Sequence, residues 1–430
     1  MLKLFRKESV IMVCYMSVIA VAVVFGCFVR DVRAQAKGTI TEGDNAEQFA
    51  LLCQIYNVAK NPPIHHVDLE DPIKIVEKID ALNATFAEKT QFNETEPVEN
   101  SSVAQVKPTA TREAAVAQAM IRRIAQKAHT ILEEIKKVNA TRDIEKVKDE
   151  FAQVIFGEGM NESHLCDGAL KDVAERGSAC GSSGLSSKGK SAGKNLVMDF
   201  FCLCSQNTKE GIDNICGFAV GRKGALSEKH GWSEAGLWGS SAMWASIKKG
   251  CGRLMQQHTK SITESFDLIG DFLQYLRTGG VFRHDTKDES DRIVGMLGTS
   301  VFKKGTGEVK GPVCDGKKGG TKGSPGGMCV YYGQESEWQN IQWIIKLKTS
   351  LSMADALNNQ TATIQRSIKK LQTLLHRGEE IYETTKVITE IQNPVLPTNL
   401  QTTATKRLTA YSGARRYPTN THFLLLFILL

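Results

Sequence analysis

The residues from Gly184 to Ser191 (GLSSKGKS) match the pattern G-x-x-x-x-G-K-[ST] at every position. Such a loop handles phosphate when it joins a buried strand to a helix, with a downstream aspartate holding magnesium. Here the preceding stretch from Lys171 to Ser183 is polar, contains Cys180 and shows no strand pattern. The match therefore reads as a Gly/Ser/Lys loop, not a nucleotide site. The histidines (His65, His66, His129, His164, His230, His258, His284, His376 and His422) are scattered. No H-E-x-x-H, G-x-S-x-G or Cys–His signature accompanies them. No catalytic residue, metal ligand or cofactor is assigned, and nothing in the chain points to an enzyme.

Two other clusters have chemical potential. Six lysines fall between Lys303 and Lys322 against Glu308 and Asp315, a local charge of +4. A nucleic-acid surface needs interleaved aromatics, and these are missing, so a solvated loop is expected. Trp232, Trp238 and Trp244 are spaced six apart, and they read as buried anchors of a loop-rich region in preference to a carbohydrate platform.

Of the 11 cysteines, Cys14 and Cys27 lie in an N-terminal apolar segment. The others, Cys53, Cys166, Cys180, Cys202, Cys204, Cys216, Cys251, Cys314 and Cys329, are disulfide candidates in an oxidising compartment. Nine is odd, so one thiol is left free or pairs between chains. Bridging Cys202 to Cys204 directly would be strained, so the two sulfurs should reach different partners. Cys314 and Cys329 bracket a Gly/Lys-rich segment and could staple its base.

Both termini read as processing signals. Lys3, Arg6 and Lys7 precede an apolar run from Val10 to Val29, and Val32-Arg33-Ala34 offers a cleavage site. Residues 1–34 are thus an expected signal peptide, cut after Ala34 or after Ala36. At the other end Phe423 to Leu430 is uniformly apolar. As a helix it would rise only about 12 Å, too short for a bilayer core of about 30 Å. A polar spacer (Arg415 to His422) and the small triplet Ser412-Gly413-Ala414 precede it. That order matches a GPI-attachment signal, with Ser412 or Gly413 as the attachment site and 413–430 removed. These two segments hold most of the net charge: processing leaves +2 of the formal +7. The basic balance is therefore no sign of a nucleic-acid partner.

N-glycosylation acceptors occur at Asn83, Asn93, Asn100, Asn139, Asn161 and Asn359. Their crowding marks 83–110 as an exposed connection.

The elements that must position these groups are helices. One apolar stripe runs Ala117, Ile121, Ile124, Ala128, Ile131, Ile135, Val138 and breaks near Asn139 before Val147, Phe151, Val154. A second runs Ile262, Phe266, Ile269, Leu273, Leu276 and stops at Gly279-Gly280. A third holds Ile344, Leu347, Leu351, Ala354, then re-phases to Ile364, Ile368, Leu371, Leu375 and ends before Pro394. Such spacing means helix packed on helix. Residues 166–252 and 280–334 hold most of the cysteine and read as disulfide-stapled loops with short helices. The expected fold is mainly α: an elongated antiparallel helical hairpin or coiled-coil bundle over 35–392 with a loop-rich lobe at about 157–334. A flexible stalk at 393–412 follows. With 41% hydrophobic residues among 430, global disorder is excluded.

This organisation resembles the variant surface glycoproteins of African trypanosomes. The Cys-x-Cys at Cys202 and Cys204, the late pair Cys314 and Cys329, and the return helix from Trp338 look most like the B-type N-terminal domain. No cysteine follows Cys329, so the compact cysteine-rich C-terminal domain of many relatives is not expected. In this the chain looks like the shorter Trypanosoma congolense forms. The resemblance implies a homodimer held by GPI lipid in the outer leaflet of the plasma membrane. It would form a dense coat that shields the surface from host antibodies. A nutrient receptor binding a host serum protein on the same scaffold is the alternative.

Overall fold

The computed structural model describes residues 38–91, 112–171, 173, 175–181, 188–221, 230–233, 236–254, 260–284, 290–302, 312–319 and 325–392. The signal segment, Asn93, Asn100, the stalk and Ser412 lie outside the described residues. The chain is mainly α-helical, and its contacts divide it into two compact units, residues 1–69 with 133–368 and residues 70–132 with 369–430.

In the first unit, α1 (Ala46–Lys60) is the central helix. Phe49, Leu52, Cys53, Ile55, Tyr56, Val58 and Ala59 cover more than half its circumference and are all buried, the pattern of a helix packed against several others. It packs against α4 (Ile144–Phe156), α6 (Leu196–Cys204), α7 (Ser240–Leu254) and α8 (Ile262–Thr278). Helix α8 begins with a capping box, Ser261 bonding the Glu264 amide and Glu264 reaching back to Ser261. It ends at Gly279, whose φ of 83° suits glycine, where the sequence placed its stop.

The region expected as stapled loops is more ordered than its composition suggests. All nine residues of α6 are buried, so it is a core element and not a short surface helix. Its sequence, LVMDFFCLC, is apolar on every side, and a helix with no solvent face leaves no periodicity to read. Beside it stands a four-stranded sheet in the order β4-β3-β5-β6, made of β3 (Gly280–His284), β4 (Ser290–Ile293), β5 (Met296–Phe302) and β6 (Gly326–Tyr331). Strands β3 and β5 run parallel and the other neighbours antiparallel. A short hairpin, β1 (Gly231–Ser233) with β2 (Gly236–Trp238), precedes α7. A five-residue helix, α5 (Arg176–Cys180), lies between α4 and α6. One hydrophobic cluster joins α1, α4, α6, α7, α8, β5, β6 and the start of α9 (Gln342–Gln392).

In the second unit, α2 (Glu70–Gln91) buries Ile75, Val76 and Ile79. The matching part of α3 (Arg112–Ala140) buries Ala117, Ile121, Ile124, Ala125, Ala128 and Leu132. Leu132, not Ile131, completes the buried stripe, while Ile131 is half-buried. Leu82 packs beside Ala117 and Ile121, and Asp80 pairs with His129 at 3.0 Å. Residue numbers thus rise along α2 as they fall along α3, an antiparallel pairing. Ile381 and Tyr382 of α9 close the same cluster. Because α2 extends to Gln91, Asn83 sits on a helix and not in the exposed connection expected for 83–110. The break after Asn139 is present, α3 ending at Ala140 and α4 starting at Ile144.

Candidate functional site

The lobe is fastened by covalent and polar crosslinks, several of them made by α6. Cys180–Cys202 ties α5 to α6, and Cys204–Cys216 ties the end of α6 to the following loop. Cys314–Cys329 joins the 312–319 segment to β6, and Cys53–Cys251 joins α1 to α7. Cys202 and Cys204 therefore reach different partners. Cys166 is the unpaired cysteine among the nine, exposed, with Sγ 3.1 Å from Ser240 Oγ.

Three buried polar side chains lock the same region. Asp199 of α6 receives hydrogen bonds from the Gly193 amide (2.8 Å), the Tyr332 hydroxyl (2.7 Å) and Trp343 Nε1 (2.7 Å). One carboxylate thus ties a turn, the end of β6 and the first turn of α9. Burial pushes its pKa from 3.8 up to about 6, despite those donors and Lys188, which pull it down. Arg176 donates to the carbonyls of Gly327 and Cys202, and its guanidinium lies 5.2 Å from the Trp232 ring centroid. Burial lowers its pKa to about 9, with Asp315 acting in the opposite sense. Asn45 donates to the carbonyls of Leu203 and Met328 and accepts from Thr299. At the edge of the lobe Asp44 receives both Arg283 nitrogens, at 2.6 and 2.9 Å.

None of these groups faces a cavity with a partner left to serve. Asp199 and Asn45 are engaged by neighbouring elements, as are the terminal nitrogens of Arg176 and Arg283, whose Nε atoms are buried without a partner; they tie the framework together. The phosphate-loop motif shows this most plainly. Gly184 to Ser187 lie outside the described residues. The amides of Gly189, Lys190 and Ser191 donate to the carbonyls of Tyr331, Ser178 and Ala179. A phosphate cradle needs those amides free. What precedes the loop is α5, not a strand.

The remaining candidates are dispersed. His65, His66 and His164 are exposed and His230 is half-buried. His284 pairs with Asp291 at 2.6 Å and His376 with Glu380 at 3.4 Å. His258 and His422 lie outside the described residues. Among the described residues no group of three His, Cys, Asp or Glu could hold a metal, and no helix is long and apolar enough to cross a membrane. Lys317 pairs with Glu210 at 3.3 Å and Lys318 is exposed; most of the lysine cluster lies outside the described residues. Trp232 and Trp244 are buried anchors, but Trp238 at the end of β2 is 55% exposed. The hairpin turns every second side chain outward, so the third tryptophan does not follow the other two. Asn161 and Asn359 are exposed, and Asn83 and Asn139 are half-buried.

Asn45, Arg176, Asp199 and Arg283 were not anticipated from the sequence. Asp199 alone carries a clear local signal, a charged residue inside the apolar run LVMDFF. Asn358 and Thr361 are buried in α9 where the third stripe re-phases. Asn358 Nδ2 donates to the Pro63 carbonyl and its Oδ1 accepts the His65 amide, both at 2.7 Å.

What this arrangement can do is hold the lobe in one shape. Comparison with known proteins points the same way. A family profile described as a trypanosomal VSG domain matches residues 28–115 and 94–373. The chain is also 28% identical over 199 residues to variant surface glycoprotein YnAT 1.3 of Trypanosoma congolense. That match covers 46% of this chain and 42% of the relative, so the chain spans under half the length of the curated relative it matches.

Proposed function

The chain belongs to the trypanosomal VSG family, and from that premise we propose that it is a GPI-anchored coat glycoprotein with no catalytic role. Packed densely on the plasma membrane, it shields the proteins beneath from host antibody. The observation that carries this reading is the framework itself. The buried polar groups and four disulfides are spent on rigidity, while candidate chemical residues are dispersed or self-paired. A surface of that kind can change its exposed residues without disturbing its core, which suits a variable antigen. Delivery to the ER by residues 1–34 and attachment at Ser412 or Gly413 complete the account, and the mature chain works as a homodimer.

The test of anchoring is release by phosphatidylinositol-specific phospholipase C from living cells, after chemical removal of any inositol acyl chain. Release of the protein bearing an ethanolamine-linked glycan on Ser412 or Gly413 is expected. Retention on membranes after that treatment overturns the anchoring. Sparse surface copies that capture a host serum protein would favour a receptor instead.

A further inference from the structure

The described acceptor asparagines differ in what surrounds them. Asn161 and Asn359 project from exposed positions. Asn139 instead forms part of the wall of an open cleft of about 410 Å³, set between the 65–69 segment and the elbow joining α3 to α4. That volume falls in the range of about 300–1,000 Å³ seen for small-molecule sites. Val67, Leu69 and Ile144 give it apolar surface, and Arg142 and Glu145 give it charged groups.

The cleft is held open by a built elbow. Arg142 Nη2 donates to Thr361 Oγ1 at 2.9 Å and to the His65 carbonyl at 3.5 Å. Asn358 fixes the 63–65 segment from the other side, and Asp143 caps α4 through the Lys146 amide. Arg142 touches Asn139 at Oδ1, at 3.5 Å, so the contact does not use Nδ2, the atom that would carry a sugar. A pyranose has an apolar C–H face and a polar rim, which matches a cleft with both kinds of wall.

We infer that Asn139 carries an N-glycan whose first N-acetylglucosamine seats in this cleft and braces the elbow. The inference rests on delivery to the ER, proposed above. In the transfer, the C1–O bond of a lipid-pyrophosphate-linked oligosaccharide breaks as Nδ2–C1 forms. The lipid pyrophosphate leaves with the electron pair and Nδ2 loses one proton. Transfer precedes folding, because in the folded chain Thr141 Oγ1 is engaged with the Val138 carbonyl and Gln360. The covalent tether then holds the sugar beside the cleft at high effective concentration, so weak contacts suffice to seat it.

The experiment uses the full chain from secretory expression in a eukaryotic host. Glycopeptide mapping reports occupancy, and an endoglycosidase that cuts within the chitobiose core reports access. In the native protein the Asn139 glycan should be cut at least about tenfold more slowly than the exposed glycans, and equally fast after denaturation. Complete removal of the glycan from folded protein should speed amide exchange in 65–69 and 142–145, while trimming to one N-acetylglucosamine should not. Asn139→Gln should reproduce the faster exchange, and the trimming comparison stands if that variant folds poorly. A bare Asn139 with glycan on Asn161 or Asn359 overturns the inference and leaves ER delivery intact. Bare sequons throughout overturn both. An occupied Asn139 cut at the exposed rate, with exchange unchanged, overturns the seat.

Discussion

Replacing Asp199 by Asn should change how stability depends on pH, and the structure fixes both the sign and the size. Asp199 is buried, and its pKa rises from 3.8 to about 6 because burial penalises the charge more than its three donors relieve it. Between those two values the native state binds more protons than the unfolded state. Stability therefore falls as pH rises through that window. The full effect is about 3 kcal/mol, at about 1.36 kcal/mol per pKa unit. In the Asn variant one oxygen can still accept from Tyr332 and Trp343. Its amide group then meets the Gly193 N–H, donor against donor, at a cost of about 1–3 kcal/mol that does not vary with pH. The informative quantity is thus the wild-type stability minus the variant stability, measured by urea unfolding from pH 3.5 to 8 with disulfides intact. Other carboxylates, including half-buried Asp315, cancel in that difference. It should fall by about 3 kcal/mol from the acid end to pH 7. A difference that is flat across the range, or one that grows with pH, refutes the assignment of an uncompensated buried carboxylate.

Further outcomes follow from the same framework. Cys53→Ser with Cys251→Ser opens a bridge spanning 198 residues of sequence and should cost about 2–5 kcal/mol, read from the urea midpoint under non-reducing conditions. Gly327→Ala places a β-carbon on the Val313 carbonyl oxygen, a backbone atom that cannot step aside; a loss of about 1–3 kcal/mol is expected in the same assay. Lys190→Ala, on the exposed side chain of the phosphate-loop match, should alter stability by less than about 0.5 kcal/mol. Equilibrium dialysis should detect no ATP or GTP bound by either form.

Three helical stripes were legible because those helices keep a solvent face, whereas α2 was not anticipated. The stripe of α9 and most of that of α3 emerge at their expected positions, whereas in α8 Phe266 is exposed and Leu268 and Phe272 join Ile269 and Leu276 on the buried face; the breaks at Asn139 and Gly279 fall where a sequon and a glycine interrupt the pattern. The late cysteine pair was legible too, since bracketing a Gly/Lys segment suggested a staple. Helix α6 was not, because a helix buried on all sides has no period. The four-stranded sheet was hidden for a related reason: its strands are short, glycine-rich and mostly covered, so no alternation of polar and apolar residues survives. The polar crosslinks of the lobe depend on contacts across long sequence separations, such as Asn45 with Met328. Nothing local to Asn45 announces them. Trp238 illustrates the limit of spacing alone, since equal intervals placed two tryptophans in the core and the third in solvent.

Surface density separates a coat from a sparse receptor. Copies per cell should be counted by isotope-dilution mass spectrometry of surface-labelled protein, on cells expressing this gene, with immunogold imaging of its distribution. For a coat, copy number multiplied by molecular footprint approaches the whole plasma-membrane area, with even labelling. A count covering only a small fraction of that area, gathered at one site on the cell, would contradict a coat.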